Sequence, residues 1–323
     1  YCPHKLAGGA SAHDFKQEGH GIKRKLNVKA IIQKVDLDTC LTALILGVDP
    51  LADEVIVAKG EAGEEELNDP AVICIEAGGS GRSDLNDFDH HDPDRYFEPA
   101  CRQTWRKQGG VDDENPYTAV GNFAAGRRAW VRQGADGEHL ARLVDYVCMV
   151  DERIPVGELP EFPTLSNIFS GMLLIEKEPA AQFAKGIAIL RRVVAARLDP
   201  YDTMPDCEAW RPFAEAKEAN FRLVKETLEQ AEYYLSRRGR KVGYVESTAI
   251  GGIGTLYEQG CEVAVMFNPA FGEPPMPKFT IAGNQTVVIA AKPAFDELEA
   301  GWGAGRRSSV RPAPERSLLR RWC

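Results

Sequence analysis

The feature that most constrains this chain is a series of short apolar runs that lack alternation and each end in acidic or glycine-rich residues. They are VKAIIQKV (Val28–Val35), EVIVAKG (Glu54–Gly60) and AVICIEAGG (Ala71–Gly79). Runs that are apolar on both faces belong to parallel strands covered by helices, whereas a strand with one wet face alternates. TCLTALILG (Thr39–Gly47) lies between the first two runs and reads as a helix with Thr39 as its cap. A parallel α/β sheet is therefore expected, and in such sheets ligands bind beyond the carboxyl ends of the strands.

Downstream the texture is helical. Glu138–Glu152 carries an apolar stripe of Leu140, Leu143, Val144, Val147 and Val150, and PAAQFAKGIAILRRVVAARL forms a second helix. A third is expected along Trp210, Ala214, Phe221, Val224, Leu228, Ala231 and Leu235, stopping near Gly239. After it come four strand-like runs, KVGYVEST, EVAVMFN, PKFTIAG and QTVVIAAK, separated by turn residues. The expected organisation is a tail over 1–27, an α/β domain over 28–200, a helical connector over 201–240 and a smaller α/β domain over 241–323.

A length of 323 residues accommodates two domains with a sizeable core. The formal net charge of −9 argues against a protein that coats long nucleic acid, which draws on an extended basic footprint. No apolar run approaches the roughly 20 residues that span a bilayer, so no membrane partner is expected. The eight cysteines include no CxxC pair, and Cys74 and Cys148 sit in apolar runs as small hydrophobes. Free thiols in a reducing cytoplasm are the expectation.

Chemistry-bearing side chains gather where strands end. Asp36 and Asp38 follow the first run, at a spacing that on a strand end points both carboxylates the same way; Glu76 ends the third run. Asp89, His90 and His91 stand in NDFDHHDPDR, and Asp151 closes the helix 138–152. Each has a plain alternative: Asp38 as a helix cap, Glu76 as a solvated turn residue, the histidine pair as surface. Together they bring like charges to one sheet edge, where they repel unless a cation neutralises them. Carboxylate oxygens with imidazole nitrogens suit Mn2+, with Mg2+ or Co2+ as substitutes. Asp87, Asp92 and Asp94 of the same stretch read as solvated loop.

Asp89-His90-His91, with Asp36-x-Asp38 upstream and an acid at the intervening strand end, resembles the DHH phosphoesterase superfamily. The resemblance runs from about Val28 to the C-terminus. It implies an α/β metal-binding domain, a helical connector and a small substrate-binding domain. It implies hydrolysis of a phosphodiester or phosphoanhydride bond by a metal-activated water. Carried over by motif, the metal ligands are Asp36, Asp38, Glu76 (where the family usually has Asp), His90 and Asp151, with Asp145 as the rival of Asp151. Asp89, His90 and His91 are the expected catalytic residues, His91 and Asp89 orienting ligands or meeting phosphoryl oxygens. One departure stands out. Many members carry a histidine four residues before the first aspartate; here that position is Ile32, and Lys34 replaces an acid found in some members. Either the site binds one tight ion and a second only with substrate, or it has lost catalysis and binds a nucleotide without turnover; Lys34 is a candidate to replace a cation where a second ion would sit and a candidate contact to phosphate.

GWGAGRR (Gly301–Arg307) falls where the family's glycine-rich substrate loop is expected. Gly301, Gly303, Arg306 and Arg307 are candidates for phosphate binding, and Trp302 for stacking on a base. GGSGR (Gly78–Arg82) either cradles phosphate or makes the turn before DFDHH; it lacks the lysine and helix of a nucleoside-triphosphatase loop. The expected partner is a small phosphorylated substrate, a nucleotide or short oligonucleotide. A degenerate nucleotide sensor is the alternative, and an interaction module with neither metal nor nucleotide is the third.

Overall fold

The structure, a computed structural model, describes residues 28–92, 94–109, 137–152, 154, 161–272 and 274–283, together with the backbone of 303–304 and 308–312. Four strands form the first sheet: β1 (Lys29–Ile32), β2 (Glu54–Val57), β3 (Val72–Ile75) and β4 (Asp87–Phe88). Their order is β2-β1-β3-β4 and all pairings are parallel. The parallel α/β class read from the apolar runs is what the structure shows, with each strand shorter than its run.

The two faces of this sheet are unequal. Ala30, Ile32, Ile73, Ile75 and Phe88 face the large core. Ile31, Val72 and Cys74 face a thin layer closed by Leu67 of α2 (Glu64–Leu67). On the large side lies α1 (Leu37–Leu46), buried from Leu37 through Ile45. A helix apolar all round belongs in an interior. It starts on Asp36, whose side chain accepts from the Thr39 N–H, and stops on left-handed Gly47. The cap is therefore Asp36 and not Thr39 as expected. Residue 36 is the last extended residue before the helix, so its short carboxylate reaches the free amides.

Around α1 pack α3 (Ala100–Lys107), α4 (Gly137–Glu152) and α6 (Pro179–Ala196). Trp105 of α3 is completely buried. α5 (Leu165–Ile175) begins with a reciprocal capping box between Thr164 and Asn167. It presses against α7 (Arg211–Leu228) where Gly171 lets the helices touch: a Cβ there would fall 1.9 Å from the Phe213 carbonyl oxygen. Neither α3 nor α5 stood out in the sequence.

The second sheet has the order β5-β6-β7-β8-β10-β9, built from β5 (Glu232–Leu235), β6 (Lys241–Glu246), β7 (Val263–Phe271), β8 (Met276–Gly283), β9 (Gly303–Ala304) and β10 (Ser308–Pro312). Among the described strands of this sheet only β6 and β7 pair in parallel, across α8 (Gly252–Glu258). The helix expected to run to Leu235 ends at Leu228, and its last residues form β5 as a hairpin with β6. Gly239, at φ 73°, serves the hairpin turn. Pairing with β6 overrides the helical spacing, because Tyr233, Tyr234 and Leu235 suit a strand surface. The expected strand QTVVIAAK and the tail 1–27 lie outside the described residues.

Candidate metal centre

The site sits beyond the carboxyl ends of β1, β3 and β4. Ligand atoms of Asp38, Glu76, His90 and Asp151 all lie within 4.8 Å of one another. His90 Nε2 is 3.0 Å from Glu76 Oε1 and 3.4 Å from Asp151 Oδ2. Asp38 and Glu76 are buried, while His90 and Asp151 are half-buried and open the cluster to solvent.

Each side chain arrives by a different device. Glu76 follows β3 in the left-handed region at φ 50°. For a residue with a Cβ that costs about 1–3 kcal/mol. Thr39 Oγ1 donates to Glu76 Oε2 at 2.9 Å, which leaves Oε1 for His90. Thr39 was expected to be only a cap, and its part in holding Glu76 went unread. Asp151 reaches the cluster from the last turn of α4. Asp145, on the same helix, pairs with Arg102 instead.

The paired aspartates do not act as a pair. Both were expected to point one way from a strand end, but β1 has already ended at Ile32 and Asp38 stands in the first turn of α1. Asp38 receives the first amides of α3: Ala100 N–H donates to Oδ2 at 2.8 Å and Cys101 N–H to Oδ1 at 2.7 Å. A carboxylate at a helix N-terminus is favoured by the helix dipole. Asp36 is committed elsewhere, Oδ1 to the Thr39 amide at 2.9 Å and Oδ2 to the Lys34 ammonium at 2.7 Å. It is not among the grouped ligand atoms.

Asp89 is buried, and its carboxylate clasps loops: Oδ2 accepts from Gly78 N–H at 2.8 Å and Oδ1 from His91 N–H at 2.7 Å. His91 Nδ1 lies 3.0 Å from the same Oδ1, and the His91 ring is largely exposed at the rim. Glu76, His90 and His91 form a second, overlapping group of possible ligands. Gln103 of α3 holds the strand-end loop by donating to the carbonyls of Asp89 and Glu98.

Two expectations about flanking residues are corrected. Asp87 is fully buried on β4, not solvated, because Phe88 takes the large core and alternation sends Asp87 to the thin face. Its carboxylate lies 3.2 Å from Arg82 Nη2. Asp92 is half-buried and accepts from the Asp94 and Arg95 amides, tying the loop; Asp94 is exposed. Arg82 also donates to the Leu67 carbonyl and to Asn68. The GGSGR segment is thus a packed turn: a Cβ on Gly79 would meet Asp87 Oδ2 at 2.7 Å and one on Gly81 the Phe97 ring at 2.6 Å. Gly301, Trp302, Arg306 and Arg307 lie outside the described residues, and Gly303 opens β9.

The electrostatics are those of a centre short of positive charge. Burial and the neighbouring Glu76 charge push the Asp38 carboxyl up to about 7. Burial raises Asp151 too, against the pull of His90. Burial alone would lower His90, but its hydrogen bond to Glu76 and the charges of Asp151, Asp38 and Glu76 outweigh that and lift it to about 9. Lys34 is likewise raised: its desolvation is overcome by Asp36, then by Glu76 and Asp151. A bound cation would relieve the same crowding of negative charge. Three carboxylates and one imidazole form a donor set that could hold a divalent ion.

Comparisons with known proteins add names but little weight. No protein-family model matches the sequence, and no curated protein matches it. Several solved structures resemble the chain at low identity. One is CDC45 from Entamoeba histolytica, 10% identical, with 91% of this chain and 93% of that chain covered and a TM-score of 0.46. Another is the DHH domain of a member of the s1p family of ribosomal proteins, 10% identical, covering 88% and 83%, with a TM-score of 0.37. A third is an uncharacterized protein from Helicobacter pylori G27, 14% identical, covering 90% and 96%, with a TM-score of 0.28. At such scores the reading of the site rests on its own residues. Among the described residues no helix is long and apolar enough to cross a membrane, and the six described cysteines are free.

Proposed function

We propose that this chain is a metal-dependent phosphoesterase of the DHH type, acting on a phosphodiester or phosphoanhydride bond of a small nucleotide or short oligonucleotide. The observation that carries the reading is the convergence of Asp38, Glu76, His90 and Asp151 within 4.8 Å at the strand ends. These four residues would hold the ion. A divalent ion supplies Lewis-acid chemistry, polarising a phosphoryl oxygen and making water acidic enough to serve as nucleophile near neutral pH.

The chain's own residues do the rest. Thr39 and the first amides of α3 fix Glu76 and Asp38, so the donors are set before an ion arrives. Asp89 orients the His91 ring at the open rim, where that ring can meet a phosphoryl oxygen or return a proton to the leaving oxygen. In this reading the 28–200 unit holds the metal, the second sheet carries the substrate, and the protein works in a reducing compartment.

The test is hydrolysis of bis(p-nitrophenyl) phosphate and of short nucleotides with added Mn2+. Turnover is expected with the native chain and a loss of at least about 100-fold in Asp38→Ala and His90→Ala. Activity that survives either substitution sinks the assignment. A second reading, nucleotide binding without turnover, is favoured by one observation: Asp36 is already committed to a helix cap and to Lys34. It predicts a thermal shift with nucleotide and no turnover with any divalent ion.

A further inference from the structure

Lys34 lies in the loop between β1 and α1, with most of its side chain exposed and its ammonium 2.7 Å from Asp36 Oδ2. Asp36 caps α1, and Asp38 of the metal centre stands two residues on in the first turn of that helix, so the ammonium is held beside the centre. Three further observations bear on how many ions this centre takes. The two groups of possible ligands among the described residues share Glu76 and His90, so they overlap and do not make two independent sites. Asp36 has one oxygen on the Thr39 amide and the other on Lys34. Ile32, on β1, is fully buried in the core and offers no donor.

We propose that the centre takes a single divalent ion and that the Lys34 ammonium supplies the second positive charge, held by Asp36 and presented to the substrate's phosphate. This rests on the metal-dependent phosphoesterase reading and deepens it. The chemistry is that of a point charge on a flexible stem. An ammonium binds phosphate without demanding the fixed fork that arginine brings, and an exposed one meets its anion at the mouth and not in the interior. Asp36 then acts as a positioning residue: it aims Lys34 while capping α1, so one carboxylate couples the start of the helix to the substrate charge.

The experiment counts ions and measures phosphate separately. Mn2+ bound to the full chain is titrated by calorimetry and by electron paramagnetic resonance of the free ion. Inorganic phosphate binding to the Mn2+-loaded chain is then measured for native, Lys34→Met and Lys34→Arg proteins. One Mn2+ per chain is expected in all three. Phosphate binding is expected to weaken about tenfold in Lys34→Met, about 1.4 kcal/mol, and to recover largely in Lys34→Arg. Two tight Mn2+ ions in the native chain overturn the proposal, and so does phosphate affinity unchanged in Lys34→Met. A native chain that binds no Mn2+ overturns the parent reading as well, which separates the two failures.

Discussion

Loading this centre with Mn2+ should release protons, and the number follows from the geometry. His90 lies between Glu76 and Asp151 with a pKa lifted to about 9, and Asp38 is pushed up to about 7. Metal ligands must be deprotonated. At pH 7.5 His90, lifted well above neutrality by its carboxylate neighbours, carries the proton that the ion displaces, which gives a release on the order of one proton per ion. The apparent affinity should then rise nearly tenfold per pH unit between pH 7 and 9, about 1.4 kcal/mol each, and flatten above. Calorimetry at pH 7.5 in buffers of different ionisation enthalpy reads the proton count directly as a slope. His90→Gln should bring that slope toward zero while weakening binding. Tight Mn2+ binding by the native chain with no buffer dependence would refute the idea that a protonated His90 holds the cluster together before the ion arrives.

The neighbouring acids offer a sharper contrast. Asp151→Asn should reduce Mn2+ affinity at least about tenfold, whereas Asp145→Asn, which breaks only the pair with Arg102, should leave it unchanged; equal effects would mean that the wrong acid was chosen. Asp87 is raised to about 6 by burial, with Arg82 pulling the other way. Its folded pKa exceeds the unfolded one, so this group's contribution to stability falls as pH rises through roughly 4 to 6. Arg82→Ala should extend that fall upward and destabilise the fold more at pH 8 than at pH 5, by about 2 kcal/mol after allowance for the partial exposure of Arg82; denaturant midpoints at the two values check it. Gly171→Ala should cost about 3 kcal/mol, since its Cβ would fall 1.9 Å from a backbone oxygen that cannot rotate away, and a melting temperature within two degrees of native would contradict the α5–α7 contact.

What the sequence determined by itself is local or periodic. Non-alternating apolar runs around Ile31 and Cys74 gave the parallel sheet, because a strand buried on both faces has no reason to alternate, whereas the run around Ile56 became the edge strand β2 with Ile56 exposed. Acids and histidines at the ends of those runs gave the donor types at one edge. Helix stripes such as Leu140, Leu143, Val144 and Val147 gave α4 and, with it, the position of Asp151.

Tertiary structure decided which of those donors face one another. Asp38 is held by amides 62 and 63 residues away, and no local pattern encodes which helix will start beside it. Asp36 and Asp38 look equivalent in KVDLDT, yet the helix begins between them, so one becomes its cap and the other enters its first turn. Asp87 looks like its exposed neighbours in NDFDHHDPDR, yet pairing of β4 with β3 buries it beside Arg82. The helical stripe through Leu235 was real as a spacing, but Tyr233 and Tyr234 gained a strand partner in β6. Spacing along a chain fixes which face a residue shares; which partner stands across that face is settled only when distant segments pack.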